Sequence, residues 1–102
     1  MIYLDTHIVV WLYAGLTEKF GASVREMVDQ NEVRISPIVC LELQYLYEIQ
    51  RVLAAPQEIV SDLGRRIGLQ VCDKPFDEIV TRAVTLSWTR DPFDRVIVAN
   101  AA

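Results

Sequence analysis

The chain has little of what several protein classes require. Cysteine occurs twice, at positions 40 and 72. That spacing matches neither a metal motif nor a disulfide framework, so both are read as small buried hydrophobes in a reducing compartment. Glycine and proline occur four times each in 102 residues, which excludes collagen-like and low-complexity chains. There is a single histidine, so a Ser-His-Asp or Cys-His catalytic site has little to build on, and no glycine-rich phosphate loop is present. No apolar run approaches the roughly 20 residues that span a bilayer. The stretch from Ile8 to Ala14 follows Asp5 with no basic residue before it, which is not the layout of a signal peptide. A cytoplasmic protein of one domain over residues 1–102 is expected, with no membrane association.

What is present is apolar and acidic. Hydrophobic residues make up 52% of the chain, enough for a core that buries about two-thirds of the unfolded surface. The net charge of −4 argues against an open basic sleeve for nucleic acid. Eight of the ten basic residues are nevertheless arginine, whose planar fork suits phosphate.

The pattern along the chain alternates short apolar runs with helical stretches. Strands are expected at Met1–Asp5, Val33–Ile35 and Leu69–Cys72. Helices are expected from Thr6 to Ala14, stopped by Gly15, and from Leu16 to Gln30 with Phe20, Val24, Met27 and Val28 on one stripe. Ser36-Pro37 is a cap followed by proline at the first helical position, opening a helix to about Val52. A further helix after Pro56 runs to about Ile67 before Gly68. Pro75 to about Ser87 is amphipathic, with Phe76, Ile79, Val80, Ala83 and Val84 on the apolar side. Asp91-Pro92 repeats the cap-plus-proline signal and opens the last helix. This alternation predicts an α/β fold, a three-layer α/β/α sandwich around a central parallel sheet, with ligands beyond the carboxyl ends of the strands. The apolar helix at the end of the sequence lacks a cap or a following strand, which suggests that a C-terminal strand is missing.

Three acids stand out. Glu42 has Ile38 and Val39 one turn behind and Tyr45 and Leu46 one turn ahead, so its carboxylate lies along an apolar face. That costs several kcal/mol unless it pairs or binds a cation. Asp94 precedes Ile97 and Val98 by one turn, though it could equally be a first-turn acid favoured by the helix dipole, with Asp91 as cap. Asp5 sits where the first strand hands over to a helix and could be that helix's cap. The topology carries all three to one end of the sheet. Clustered carboxylates repel unless a cation holds them, and oxygen-only ligands select Mg²⁺ or Mn²⁺ over zinc. His7, Trp11, Trp88, Tyr45 and Tyr47 are read as cap, core or interface residues.

The segments Tyr3–Leu12, Ile35-Ser36-Pro37 through Glu42-Leu43, and Arg90-Asp91-Pro92-Phe93-Asp94-Arg95-Val96-Ile97-Val98-Ala99 resemble the PIN domain family, most closely VapC-type ribonuclease toxins of toxin–antitoxin pairs. The resemblance implies that Asp5, Glu42 and Asp94 are metal-binding and catalytic acids, with Thr6 and Asp91 supporting them. It implies Mg²⁺- or Mn²⁺-dependent cleavage of RNA by a homodimer restrained by a cognate antitoxin. From position alone, Arg95 and Arg90 are candidates to meet phosphate. Two departures stand out: Thr89 replaces a frequent histidine, and the family continues into a strand carrying a further acid. A PIN-like module that dimerises and binds an antitoxin without cutting RNA is the competing expectation. A receiver-like phosphoacceptor domain is disfavoured, because no late lysine assists it and the acids are spread over three elements.

Overall fold

The computed structural model of the chain describes residues 1–16 and 21–101. Three short strands, β1 (Ile2–Tyr3), β2 (Val33–Ile35) and β3 (Gln70–Val71), form a parallel sheet in the order β1-β2-β3. Ile2 pairs with Val33 and Tyr3 with Arg34; Arg34 pairs with Gln70 and Ile35 with Val71. Among the described residues, six helices flank the sheet: α1 (Thr6–Ala14), α2 (Ala22–Gln30), α3 (Pro37–Glu48), α4 (Pro56–Ile67), α5 (Phe76–Val84) and α6 (Pro92–Ala101). The expected α/β architecture is therefore present, although the first and third strands are shorter than the sequence suggested. Leu16, the expected start of α2, is not helical and α2 begins at Ala22 after Gly21, while Phe20, expected on its stripe, lies outside the described residues.

The sheet has two unlike faces. Val33 and Ile35 are fully buried and join Leu4, Val9, Val39, Leu43, Ile59 and Leu63 in the main core. Side chains alternate along a strand, so Tyr3, Arg34, Gln70 and Cys72 belong to the opposite face. That face is polar. The Tyr3 hydroxyl donates to the Cys72 sulfur, 3.2 Å away, and the Lys74 ammonium lies 5.4 Å from the Tyr3 ring centroid. The ammonium also donates to the Asn100 carbonyl of α6, 2.6 Å away. A second, smaller core joins Ile79 and Ala83 of α5 to Ala99 of α6.

Local chemistry explains most helix boundaries. The Asp5 and Ser36 side chains cap α1 and α3 by accepting from the N–H groups of Ile8 and Ile38, and Asp91 accepts from Phe93 at the start of α6. Gly15 and Gly68 end α1 and α4 in the left-handed region, both at φ 72°. The carboxyl end of α1 has an additional partner: Arg66 of α4 donates to the carbonyls of Leu12 and Tyr13 while paired with Asp62. Those carbonyls belong to the last turn of α1, where helical partners run out.

Three further expectations differ from the structure. Helix α3 does not reach Val52. It closes after Glu48, where Arg51 N–H bonds the Leu46 carbonyl and Gln50 N–H bonds that of Tyr47, with Gln50 itself at φ 62°. This is a Schellman closure with glutamine in the position glycine favours. Gln50→Gly should therefore raise stability by about 0.5–1 kcal/mol, the left-handed penalty of a side chain less the chain entropy that glycine adds. A chemical denaturation midpoint that does not rise would contradict that reading. On α5, only Ile79 and Ala83 point inward. Phe76, Val80 and Val84 are exposed, because α6 covers a single edge of the apolar stripe. Met27, expected on the inner stripe of α2, is exposed as well.

Candidate functional site

The carboxyl end of β1 places the first candidate acid. Asp5 follows the strand with extended backbone (φ −82°, ψ 171°), and one carboxylate oxygen accepts from Ile8 N–H at 3.0 Å. The side chain itself is exposed. Thr6 opens α1 and is buried, with its hydroxyl donating to Oε1 of Glu42 on α3. Glu42 is half-buried between Leu41, which faces solvent, and Leu43, which is fully buried. The carboxylate that the sequence marked as misplaced on an apolar face thus has a hydroxyl partner, which meets part of the cost of its burial. The β1–α1 junction and α3 are joined at this bond, and Asp5 is the adjacent residue.

Helix α6 and its cap carry the other candidates, Asp91, Asp94 and Arg95. It packs against both β1 and α3. Ile97 and Val98 share a groove of about 390 Å³ with Ile2, Leu4, Asp5 and Ile8. Asp94 is exposed in the first turn of α6, and Asp91 caps that helix, as the Asp91-Pro92 pair predicts. Among the described residues, no three His, Cys, Asp or Glu side chains stand close enough to share a metal ion. Arg95 is half-buried and its Nε donates to the Thr89 carbonyl at 2.8 Å, holding the loop before α6, whereas Arg90 is exposed. The donor chemistry of Asp5, Glu42 and Asp94 suits a hard divalent cation, since each offers carboxylate oxygen and none offers nitrogen or sulfur.

Two features escaped the sequence. The polar sheet face is one. Burial pushes the Cys72 thiol up, but hydrogen bonding from Tyr3, the Lys74 N–H and the Asn100 carboxamide, together with the Lys74 charge, brings it below its ordinary value. Apart from that contact with sulfur, the fully buried Asn100 carboxamide has no hydrogen-bond partner among the described residues. A polar residue in the apolar run Val96–Ala101 was the available signal. The second feature is a cleft lined by His7, Val10, Trp11, Leu46, Arg51 and Val52. His7 is exposed, not packed into the core.

A parallel α/β domain with acids at the carboxyl ends of its strands is an architecture that suits phosphoryl chemistry. More specifically, the PIN domain family matches residues 2–102, and the chain belongs to that family. PIN domains are typically nucleases that use divalent metal ions. No curated protein and no solved structure matches the chain. No helix among the described residues is long and apolar enough to cross a membrane.

Proposed function

We propose that this PIN domain is a divalent-metal-dependent endoribonuclease of the VapC type, the toxin of a toxin–antitoxin pair. The observation that supports it most is the Thr6–Glu42 hydrogen bond beside Asp5, at the sheet edge where such folds bind ligands. In this reading Asp5, Glu42 and Asp94 would hold Mg²⁺ or Mn²⁺. The ion would supply an activated water and stabilise negative charge on a phosphoryl oxygen. Thr6 orients Glu42 through its hydroxyl and so acts as a positioning residue. Asp91 fixes the start of α6 and with it the place of Asp94. Arg90 is exposed and available to phosphate, while Arg95 reaches it only with the guanidinium nitrogens left over from its bond to Thr89.

A homodimer and an antitoxin complex both need apolar surface, and Phe76, Val80 and Val84 of α5 present one. The competing module that binds but does not cut gains support from the absence of three gathered metal-binding side chains among the described residues. Cleavage separates the two readings. The chain should cut single-stranded RNA with Mn²⁺ and stop in excess chelator, with cutting restored by added ion. Cutting that persists in chelator, or no cutting at any Mn²⁺ concentration, contradicts the proposal.

A further inference from the structure

We propose that the cleft between α1 and the end of α3 receives one base of single-stranded RNA, stacked on Trp11 and with its phosphate held by Arg51; this rests on the nuclease reading above. Trp11 and His7 lie one turn apart on α1, with ring centroids at 6.2 Å and planes at 53°. Leu46 and Val52 close the opposite side. The volume is about 230 Å³, below the roughly 300–1,000 Å³ of ordinary small-molecule pockets. Among the described residues, none that lines the cleft is acidic in a chain of net charge −4, so this is a place where a polyanion can approach.

Position ties the cleft to the acids. Thr6 precedes His7 and bonds Glu42, and Leu46 lies one turn beyond Glu42, so the cleft begins at the next residue along α1 and about 6 Å along α3 from that bond. The backbone turn at Gln50 brings Arg51 to the rim. Among the described residues, Arg51 takes part in no ion pair, and its side chain is exposed. An aromatic face and an exposed guanidinium together are the elements of a sequence-tolerant single-strand site.

The test uses the intact chain in chelator, where binding is read without cleavage. Trp88 is exposed and is replaced by phenylalanine so that Trp11 alone emits. A mixed-sequence oligoribonucleotide of about ten nucleotides should then quench Trp11 to saturation. Trp11→Ala should weaken binding about 5- to 150-fold, with Trp11→Phe retaining most of it. Arg51→Gln should lower the slope of log affinity against log salt by about 0.7–1. If Trp11→Ala does not fold, quenching and the Arg51→Gln slope decide. Oligonucleotide binding that leaves Trp11 unquenched, an unchanged slope, or no oligonucleotide binding would overturn the proposal, a protein occupant then being the alternative. A chain that quenches but never cuts with Mn²⁺ loses the nuclease reading and keeps the cleft; one that cuts without quenching does the reverse.

Discussion

Glu42→Gln should lower Mn²⁺-dependent RNA cleavage at least about 100-fold while leaving the fold intact. Loss of an outer partner of a metal ligand already costs 10–100-fold in affinity or activity, so loss of a ligand's charge should cost no less. The amide keeps an oxygen that can accept from Thr6, which limits structural damage. Two opposing effects set stability in chelator. The half-buried charge disappears, and a charge-assisted hydrogen bond becomes a neutral one of about half the strength. The first effect should prevail by no more than about 1 kcal/mol, so the variant melts slightly higher than the parent without ion. Thr6→Val provides the contrast. It leaves the carboxylate without its donor and should cost about 1–3 kcal/mol and 10–100-fold in cleavage, with Thr6→Ser restoring both. A Glu42→Gln enzyme with parental turnover would remove Glu42 from the site.

Leu43→Ala should be the most damaging of these substitutions for stability, at about 3–5 kcal/mol by chemical denaturation. Leu43 is fully buried beside Glu42 and belongs to the cluster that joins α1, α3, α4 and β2. A cavity there has rigid strand and helix walls and little means of collapse. In a domain of this size, such a loss approaches the whole free energy of folding. A measured cost below about 1 kcal/mol would show that the core closes around the gap.

Local chemistry made much of the fold legible. Ser36-Pro37, Asp91-Pro92, Gly15 and Gly68 each mark a boundary through their own backbone preferences, and each boundary lies where those residues put it. The end of α3 was illegible because a glutamine occupies the left-handed position, and nothing in its side chain announces that conformation. The polar sheet face was hidden for another reason. Strands of two or three residues carry too little alternation to show which side chains share a face, so Tyr3, Arg34, Cys72 and Asn100 read as unrelated residues. Phe76, Val80 and Val84 followed helical periodicity, but periodicity cannot tell which edge of a stripe a neighbour covers.

The site divides the same way. Glu42 was conspicuous because a carboxylate among Ile38, Val39 and Leu46 conflicts with its surroundings, and its Thr6 partner became visible only when α1 met α3. Asp5 and Asp91 act as caps in this structure, and a cap can also serve as a ligand when its second oxygen remains available. The cleft at Trp11 depends on the turn at Gln50, so it had no trace in the sequence.

Titration calorimetry of the metal-free chain with Mn²⁺ is the most direct trial of the claim that Asp5, Glu42 and Asp94 converge on one ion. A saturable event should appear, weakened at least about tenfold in each of Asp5→Asn, Glu42→Gln and Asp94→Asn. Parental affinity in the Asp94→Asn chain, or no saturable binding in the parent, would contradict it.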